Sequence, residues 1–142
     1  MSRNALTEKL RLSRRAEDLV QSEIRTMSIA CDKVGGVNLS QGVCDMETPE
    51  PVIQGAAEAM AAGINYYTRY DGLPELRTAI AGKVEKYNGF SVDPEKNIIV
   101  SAGATGAFYC ACLALLDPGD EVIVFEPFYG YHVNTLLAVN AK

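Results

Sequence analysis

The residues best suited to chemistry sit in one stretch, Asn97–Pro127, NIIVSAGATGAFYCACLALLDPGDEVIVFEP. A short apolar run, Ile98–Val100, meets a turn made only of small residues, Ser101-Ala102-Gly103-Ala104-Thr105-Gly106. An apolar segment of helical length follows, Ala107–Leu116, then the breaker Asp117-Pro118-Gly119-Asp120 and a second β-branched run, Val122–Phe125. Strand, tight turn, helix, turn and strand in that order predict a βαβ unit. The turn carries no bulky side chain and opens a helix, where unpaired backbone N–H groups and the helix dipole attract an anion. The predicted chemistry is the holding of a phosphate. The turn lacks a Gly-x-Gly-x-x-Gly spacing, and Gly106 is followed by Ala107 rather than a P-loop lysine, so neither nucleotide fingerprint is present.

Other reactive residue types offer less. The four cysteines are Cys31, Cys44, Cys110 and Cys112. Cys110 and Cys112 fall two apart on a predicted helix, point to different sides and cannot share one ion; all four are expected to be buried free thiols. Cys44 has no histidine near it in sequence to activate it. The single histidine, His132, is expected on the surface of a late helix. Asn38-Leu39-Ser40 matches a glycosylation sequon by chance, since no secretion signal accompanies it.

Composition narrows the class. The chain has 142 residues, 48% hydrophobic and 22% charged, which suits one globular domain with a real core. A net charge of −5 argues against nucleic acid, whose partners cluster Lys and Arg. The only basic cluster, Arg11, Arg14 and Arg15, is diluted by Glu8, Glu17 and Asp18 and reads as a solvated helix face. No apolar run approaches the roughly 20 residues of a membrane span. The polar N-terminus MSRNALTEKLRLSRR lacks the apolar core of a signal peptide, so a cytoplasmic protein is expected.

The elements that must position the turn follow from periodicity. Ser13 to about Lys33 predicts a helix, with Ala16, Leu19, Val20, Ile24 and Met27 on one face and Gly35-Gly36 as the stop. Val37–Leu39 is extended and Ser40–Met46 a loop. Thr48 is expected to cap a second helix with Pro49 at its first position, Val52, Ile53, Ala56, Ala57 and Met60 inward, and Gly63 at its end. The aromatic loop NYYTRYDGL, Asn65–Leu73, leads to a third helix, about Pro74–Tyr87, with Leu76, Ala79, Ile80, Val84 and Tyr87 on one side and Asn88-Gly89 as its stop. Tyr131–Val139 predicts a last helix. Two parallel strands alone would leave Val122–Phe125 half bare, because parallel sheets are covered on both faces and usually have more strands.

Five segments in order carry a family resemblance: Asn38-Leu39-Ser40-Gln41-Gly42; Thr48-Pro49; Asn65-Tyr66-Tyr67-Thr68 through Gly72-Leu73-Pro74-Glu75-Leu76-Arg77; Ser101–Ala107; and Asp117-Pro118-Gly119-Asp120-Glu121-Val122 with Glu126-Pro127. From Asn38 to Tyr131 the chain resembles the fold-type-I pyridoxal-phosphate enzymes, specifically the class I/II aminotransferases. The resemblance implies an α/β fold, a three-layer α/β/α arrangement about a mostly parallel sheet. Residues 1–47 would form an N-terminal helical arm and substrate-side loop, and residues 48–142 the beginning of a large cofactor-binding domain. It implies pyridoxal 5'-phosphate as cofactor, an amino acid and a 2-oxo acid as substrates, and a homodimer with a shared active site.

The resemblance also implies roles. Gly103, Ala104 and Thr105 would hold the cofactor phosphate, and Tyr129 would stack on the pyridine ring. Tyr67 would reach the phosphate bound by the neighbouring subunit. Gly42, lacking a Cβ, would let its backbone approach the substrate α-carboxylate. Where many relatives carry a proline and a phenylalanine after this glycine, this chain has Val43-Cys44-Asp45-Met46. The Schiff-base lysine, the acid that pairs with the pyridine nitrogen and the substrate-binding arginine all lie downstream of the matched region in the family. Lys9, Lys33, Lys83, Lys86, Lys96 and Lys142 match none of them, so no catalytic residue is assigned here. The expectation is an N-terminal portion of an aminotransferase, inert alone. The alternatives are a β-lyase or decarboxylase on the same scaffold, or a non-catalytic aminotransferase-like domain.

Overall fold

The structure is a computed structural model and describes residues 13–142; Glu8, Lys9 and Arg11 lie outside the described residues. Among the described residues six helices follow in order: α1 Arg14–Glu17, α2 Glu23–Val34, α3 Glu50–Ala61, α4 Pro74–Asn88, α5 Gly103–Leu115 and α6 Gly130–Ala138. Packing divides the chain into two compact units, one comprising the residues up to Gly42 with Gly103–Lys142, the other Val43–Ala102.

In the first unit, the single helix expected from Ser13 to Lys33 is broken. Asp18 closes α1 and α2 starts at Glu23. Tertiary contacts outweigh helical periodicity at the break: Asn134 Nδ2 on α6 donates to Val20 O at 2.9 Å, and Arg15 Nη1 donates to Ala138 O at 3.4 Å. Of the expected inward face, Leu19, Val20, Ile24 and Met27 are exposed and Ala16 is half-buried, and the residue α2 buries is Ser28. The stop at Gly35 is as predicted. Its φ of +64° suits glycine, and the N–H groups of Gly35 and Gly36 donate to Asp32 O and Cys31 O.

The core of this unit lies between α5 and α6. Cys112, Leu136 and Val139 are buried, with Phe108, Leu116, Val122, Val124 and Ala141 against them. Val122 and Val124 turn toward this core while Ile123 and Phe125 are exposed, the alternation of a strand. No strand ladder is present among the described residues, so the two expected strands are extended segments rather than members of a sheet. Pairing begins at one place. Lys142 N–H donates to Asp120 O and Val122 N–H to Lys142 O, both at 2.8 Å, the exchange that flanks one residue of a parallel pair. Of the four thiols, only Cys112 is buried; Cys31 is partly covered, Cys44 and Cys110 are exposed, and all are free, which corrects the expectation of four buried thiols. Cys110 and Cys112 do face different ways.

In the second unit, α3 begins one residue later than expected. Pro49 is extended at ψ 133° and caps the helix with its carbonyl, which accepts from Val52 and Ile53 N–H; Thr48 makes no cap bond. Pro51 falls in the first turn, where its missing N–H is harmless. Val52, Ile53 and Met60, expected inward, are exposed. Gly63, φ +76°, ends the helix through Gly63 N–H to Met60 O and Ile64 N–H to Ala59 O. α4 matches its expected span and ends at Gly89, φ +77°. Its buried residue, however, is Arg77 rather than an apolar one; Leu76 and Tyr87 are exposed.

A charged cluster explains Arg77. Arg77 is 1% exposed, and its Nη1 lies 2.5 Å from Asp71 Oδ2. The same carboxylate takes Arg69 through Nε at 3.0 Å and Nη2 at 2.7 Å. Glu95 Oε2 adds 3.4 Å to Arg69 Nη1 and 3.8 Å to Arg77 Nη1. Arg77 Nε has no hydrogen-bond partner. Beside the cluster, Val100 N–H donates to Asp71 O at 3.0 Å, and Gly72, φ +103°, lies so close to Val100 that a Cβ would stand 2.6 Å from its Cγ2.

Two outcomes follow for the full-length polypeptide. Gly72→Ala combines a left-handed φ with overpacking against Val100 and costs on the order of 3 kcal/mol; in urea unfolding, adding Val100→Ala recovers part of the loss. Hydrogen bonding from Arg69, with the backbone and both guanidinium charges, holds the Asp71 carboxyl below the usual carboxylate range against the opposing effect of burial. A carboxyl depressed on folding stabilises fully above its unfolded pKa of about 4, and that contribution is lost as pH falls through the lower folded value. Stability measured from pH 7 to pH 2 should fall below pH 4 less steeply in Asp71→Asn than in the parent. Asp93, lowered by the Glu95 backbone N–H, acts in the same direction and supplies a remaining slope.

Candidate functional site

The small-residue segment leads into α5, but the helix begins at Gly103, four residues before the expected Ala107, so Gly103–Gly106 form its first turn, and one residue makes that possible. Gly103 has φ +71°, and a Cβ there would meet nothing within 4 Å, so glycine is required by backbone conformation and not by space. A left-handed residue followed by right-handed helical ones turns successive N–H groups toward one side, an arrangement that seats anions. The first N–H groups of a helix have no acceptor within it, so those of Ala104 and Thr105 project from the helix end. Both residues are exposed, and Thr105 carries a hydroxyl that can act as a further donor. The helix dipole adds partial positive charge at the same point.

Tyr129 stands at the start of α6, with φ −78° and ψ 117°, two residues after the cis peptide Glu126–Pro127. Its ring is half exposed. It meets Tyr131 edge-on at 5.2 Å and His132 edge-on at 5.5 Å, and His132 in turn lies 4.7 Å from Phe108 on α5. Phe108, Val122, Val124, Phe128, Tyr129 and His132 line a cleft of about 370 Å³. The expected surface histidine is therefore exposed and yet wedged between two rings; nothing in its sequence spacing marked it beyond its place three residues after Tyr129. A second cleft, about 460 Å³, is lined by Val20, Ile24, Phe128, Val133, Asn134 and Leu137. The break between α1 and α2 forms one of its walls, and a continuous helix hid it from sequence reasoning.

Gly42 ends a loop fastened to α2. Ser28 Oγ lies 2.9 Å from Ile24 O and 3.0 Å from Gln41 Oε1, with one proton to give, and accepts from Asn38 Nδ2 at 2.9 Å. Asn38 Oδ1 accepts from the backbone N–H of Ser40 at 3.0 Å and from its hydroxyl at 2.8 Å. Asn38, met first as a sequon, is thus a structural link of this loop. Gly42 itself is exposed, with open space where a Cβ would go. Tyr67 lies in the unit Val43–Ala102 and is fully exposed. Among the described residues no cluster of His, Cys, Asp or Glu could hold a metal ion, and no helix is long and apolar enough to cross a membrane.

Residues 34–141 match the family model described as aminotransferase class I and II. The chain belongs to the class I and II aminotransferase family. It is 42% identical over 103 residues to the probable N-succinyldiaminopimelate aminotransferase DapC of Mycobacterium tuberculosis, covering 72% of this chain and 26% of that protein. It is 39% identical over 123 residues to the aspartate/prephenate aminotransferase of Thermus thermophilus, covering 83% and 32%. The solved structure of N-succinyldiaminopimelate aminotransferase from Mycobacterium tuberculosis superposes with a TM-score of 0.85 at 35% identity, covering 93% of this chain and 34% of that one. The chain thus spans about a quarter to a third of the length of the relatives it matches. Its fold is the corresponding part of the α/β fold of fold-type-I aminotransferases.

Members of this family depend on pyridoxal phosphate, and the residues present fit two parts of that group. The exposed, side-chain-poor start of α5 suits a dianionic phosphate, and the half-exposed ring of Tyr129 at the mouth of an apolar cleft suits a flat heteroaromatic ring.

Removing the Ser28 hydroxyl should loosen the loop that ends at Gly42. Ser28→Ala deprives half-buried Asn38 of its acceptor, and the exposed Gln41 re-pairs with water, so the expected cost is about 1 kcal/mol in denaturant unfolding.

Proposed function

We propose that the polypeptide carrying these residues is a pyridoxal-phosphate-dependent aminotransferase that moves an amino group between an amino acid and a 2-oxo acid. It acts as a cytoplasmic homodimer. Residues 1–47 serve as arm and substrate-side loop, and residues 48–142 begin the large cofactor-binding domain. The observation that carries the reading is the left-handed Gly103 at the head of a 13-residue helix, within the stretch that matches the family.

Each role rests on the chemistry of its residue. The N–H groups of Ala104 and Thr105, with the Thr105 hydroxyl, hold the phosphate by charge-assisted hydrogen bonds at a helix start. Gly103 gives those donors their direction. Tyr129 covers one face of the pyridine ring and fixes its plane by burying flat apolar area. Tyr67 offers a phenol donor to the phosphate held by the partner subunit. Gly42 lets its backbone N–H approach the substrate carboxylate without a side chain intervening. Pyridoxal phosphate, when bound, supplies the electron sink for the bond broken at the substrate α-carbon. This segment binds and orients; it assigns no side chain to proton transfer, so transamination requires the family's lysine from elsewhere in the polypeptide. The relatives' names span succinyldiaminopimelate, aspartate and prephenate, and this reading extends only to the class of amino acid and 2-oxo acid.

The full-length polypeptide should bind pyridoxal phosphate in an absorbance titration and form a keto acid from an amino acid and a 2-oxo acid acceptor. Ala104→Asp sets a carboxylate against the phosphate and should weaken binding at least about tenfold. Residues 1–142 alone should give no turnover. Unchanged cofactor affinity in Ala104→Asp, or turnover by the 142 residues, would overturn this reading.

A further inference from the structure

The aromatic loop between α3 and α4 is pinned at both ends and bare in the middle. On the α3 side, Gly63 and Ile64 close the helix, Asn65 N–H donates to Gly63 O at 2.8 Å, and Asn65 Nδ2 reaches Met60 O at 3.5 Å. On the α4 side, the fastening is heavier. Gly72 N–H donates to Arg69 O at 3.0 Å and closes a turn. The Asp71 carboxylate holds Arg69 by two bonds and Arg77 by a third, and Arg69 also reaches Glu95. Asp71 O takes Val100 N–H, and Gly72 sits on Val100 with no room for a Cβ. Only Tyr66, Tyr67 and Thr68 span the gap between these anchors, and Tyr67 is fully exposed.

We propose that the Arg69–Asp71–Arg77 cluster is a positioning device that holds the short loop so that Tyr67 stands ready for the anionic group it engages. This rests on the reading of Tyr67 as a donor to cofactor phosphate. Arg69, Asp71 and Arg77 are positioning residues; none needs to touch the cofactor. An exposed side chain on a free loop loses conformational freedom when it binds, whereas one on a pinned loop has lost it already. Asp71 holds the turn because it faces two guanidiniums at once. Arg77, buried on α4, is the fixed end, and Arg69, half exposed, is the loop's own end. The four charges facing one another, Arg69, Arg77, Asp71 and Glu95, sum to zero, so the cluster offers geometry and not net attraction for a phosphate.

That balance separates positioning from electrostatics. Asp71→Asn adds one unit of positive charge near Tyr67. Attraction alone would tighten phosphate binding, while loss of positioning would weaken it. Arg69→Lys keeps the charge and loses the two-toothed contact; because Arg69 is half exposed, this variant tests the idea even if Asp71→Asn folds poorly.

The experiment uses the full-length polypeptide with two readouts. In cofactor-free protein, amide hydrogen exchange over residues 66–72 should accelerate in Asp71→Asn and in Arg69→Lys, with α5 unchanged. In pyridoxal phosphate titrations, each variant should weaken binding roughly three- to tenfold. Combined with Tyr67→Phe, neither should weaken it beyond Tyr67→Phe alone, since a positioned donor that is absent cannot be mispositioned. Additive effects, tighter binding in Asp71→Asn or unchanged exchange in both variants overturns the positioning role. Wild-type protein that takes up no pyridoxal phosphate overturns the cofactor reading and this inference with it; wild-type protein that binds, with additive variants, overturns this inference alone.

Discussion

An extended backbone segment with apolar side chains on both faces needs cover on both, and that need organises the unit that carries Gly103 and Tyr129. Val122 and Val124 are covered by the packed pair α5 and α6, through Phe108, Cys112 and Leu136. Because α5 must lie on that face, its first turn falls where Gly103 reverses the backbone, and because α6 must lie beside it, Tyr129 falls at the rim of the neighbouring cleft. The residues proposed to face the cofactor are thus at the ends of helices whose middles are held by apolar packing. Ile123 and Phe125 face the other way and stay uncovered by the described residues.

The second unit is organised by charge. One carboxylate, Asp71, meets two guanidiniums, and one of these is almost fully buried. A buried ion pair is a poor source of net stability, because desolvation consumes much of the attraction, but its geometry is demanding. Arg77 leaves one nitrogen unpaired, so the cluster is not saturated. Such an arrangement is better understood as a specifier of loop position than as a contributor of free energy. The packing of Gly72 on Val100 does the same by shape that Asp71 does by charge.

Much of this was legible in sequence wherever one residue type decides a backbone conformation. Gly35, Gly63 and Gly89 ended helices as expected, because positive φ costs glycine little. That a helix follows the small residues at Ser101–Gly106 was legible, though its start lies at Gly103 and not Ala107, and the family motifs were legible because their order is local to the chain. The break between α1 and α2 was not, because Asn134 and Arg15 create it by contacts more than a hundred residues away in sequence. Nor was the burial of Arg77: a charge beside a three- and four-residue apolar pattern reads as solvent-facing, and only the fold shows that Asp71 waits for it. The clefts beside Tyr129 and Val20 were illegible because both are made between elements, not within one.

The separation of holding from reacting has a physical basis. Holding a phosphate and a flat ring requires donors of fixed direction and a flat apolar surface. Backbone N–H groups at a helix start and one aromatic side chain supply these without any titratable group. Moving a proton requires a group whose charge changes in the site, and the groups whose pKa is visibly displaced here, Arg69, Asp71 and Asp93, all belong to one structural neighbourhood in Val43–Ala102. Displaced titration marks function only when the partner arrangement leaves the group free to exchange a proton. Arg69 and Asp71 are locked to each other by two hydrogen bonds, Asp93 by the Glu95 N–H and by Lys96, and each lock favours the charged form already present at neutral pH. These shifts therefore belong to ion pairs and hydrogen bonds that hold local structure within Val43–Ala102, while the site proposed around Gly103 and Tyr129 rests on backbone donors and one aromatic ring.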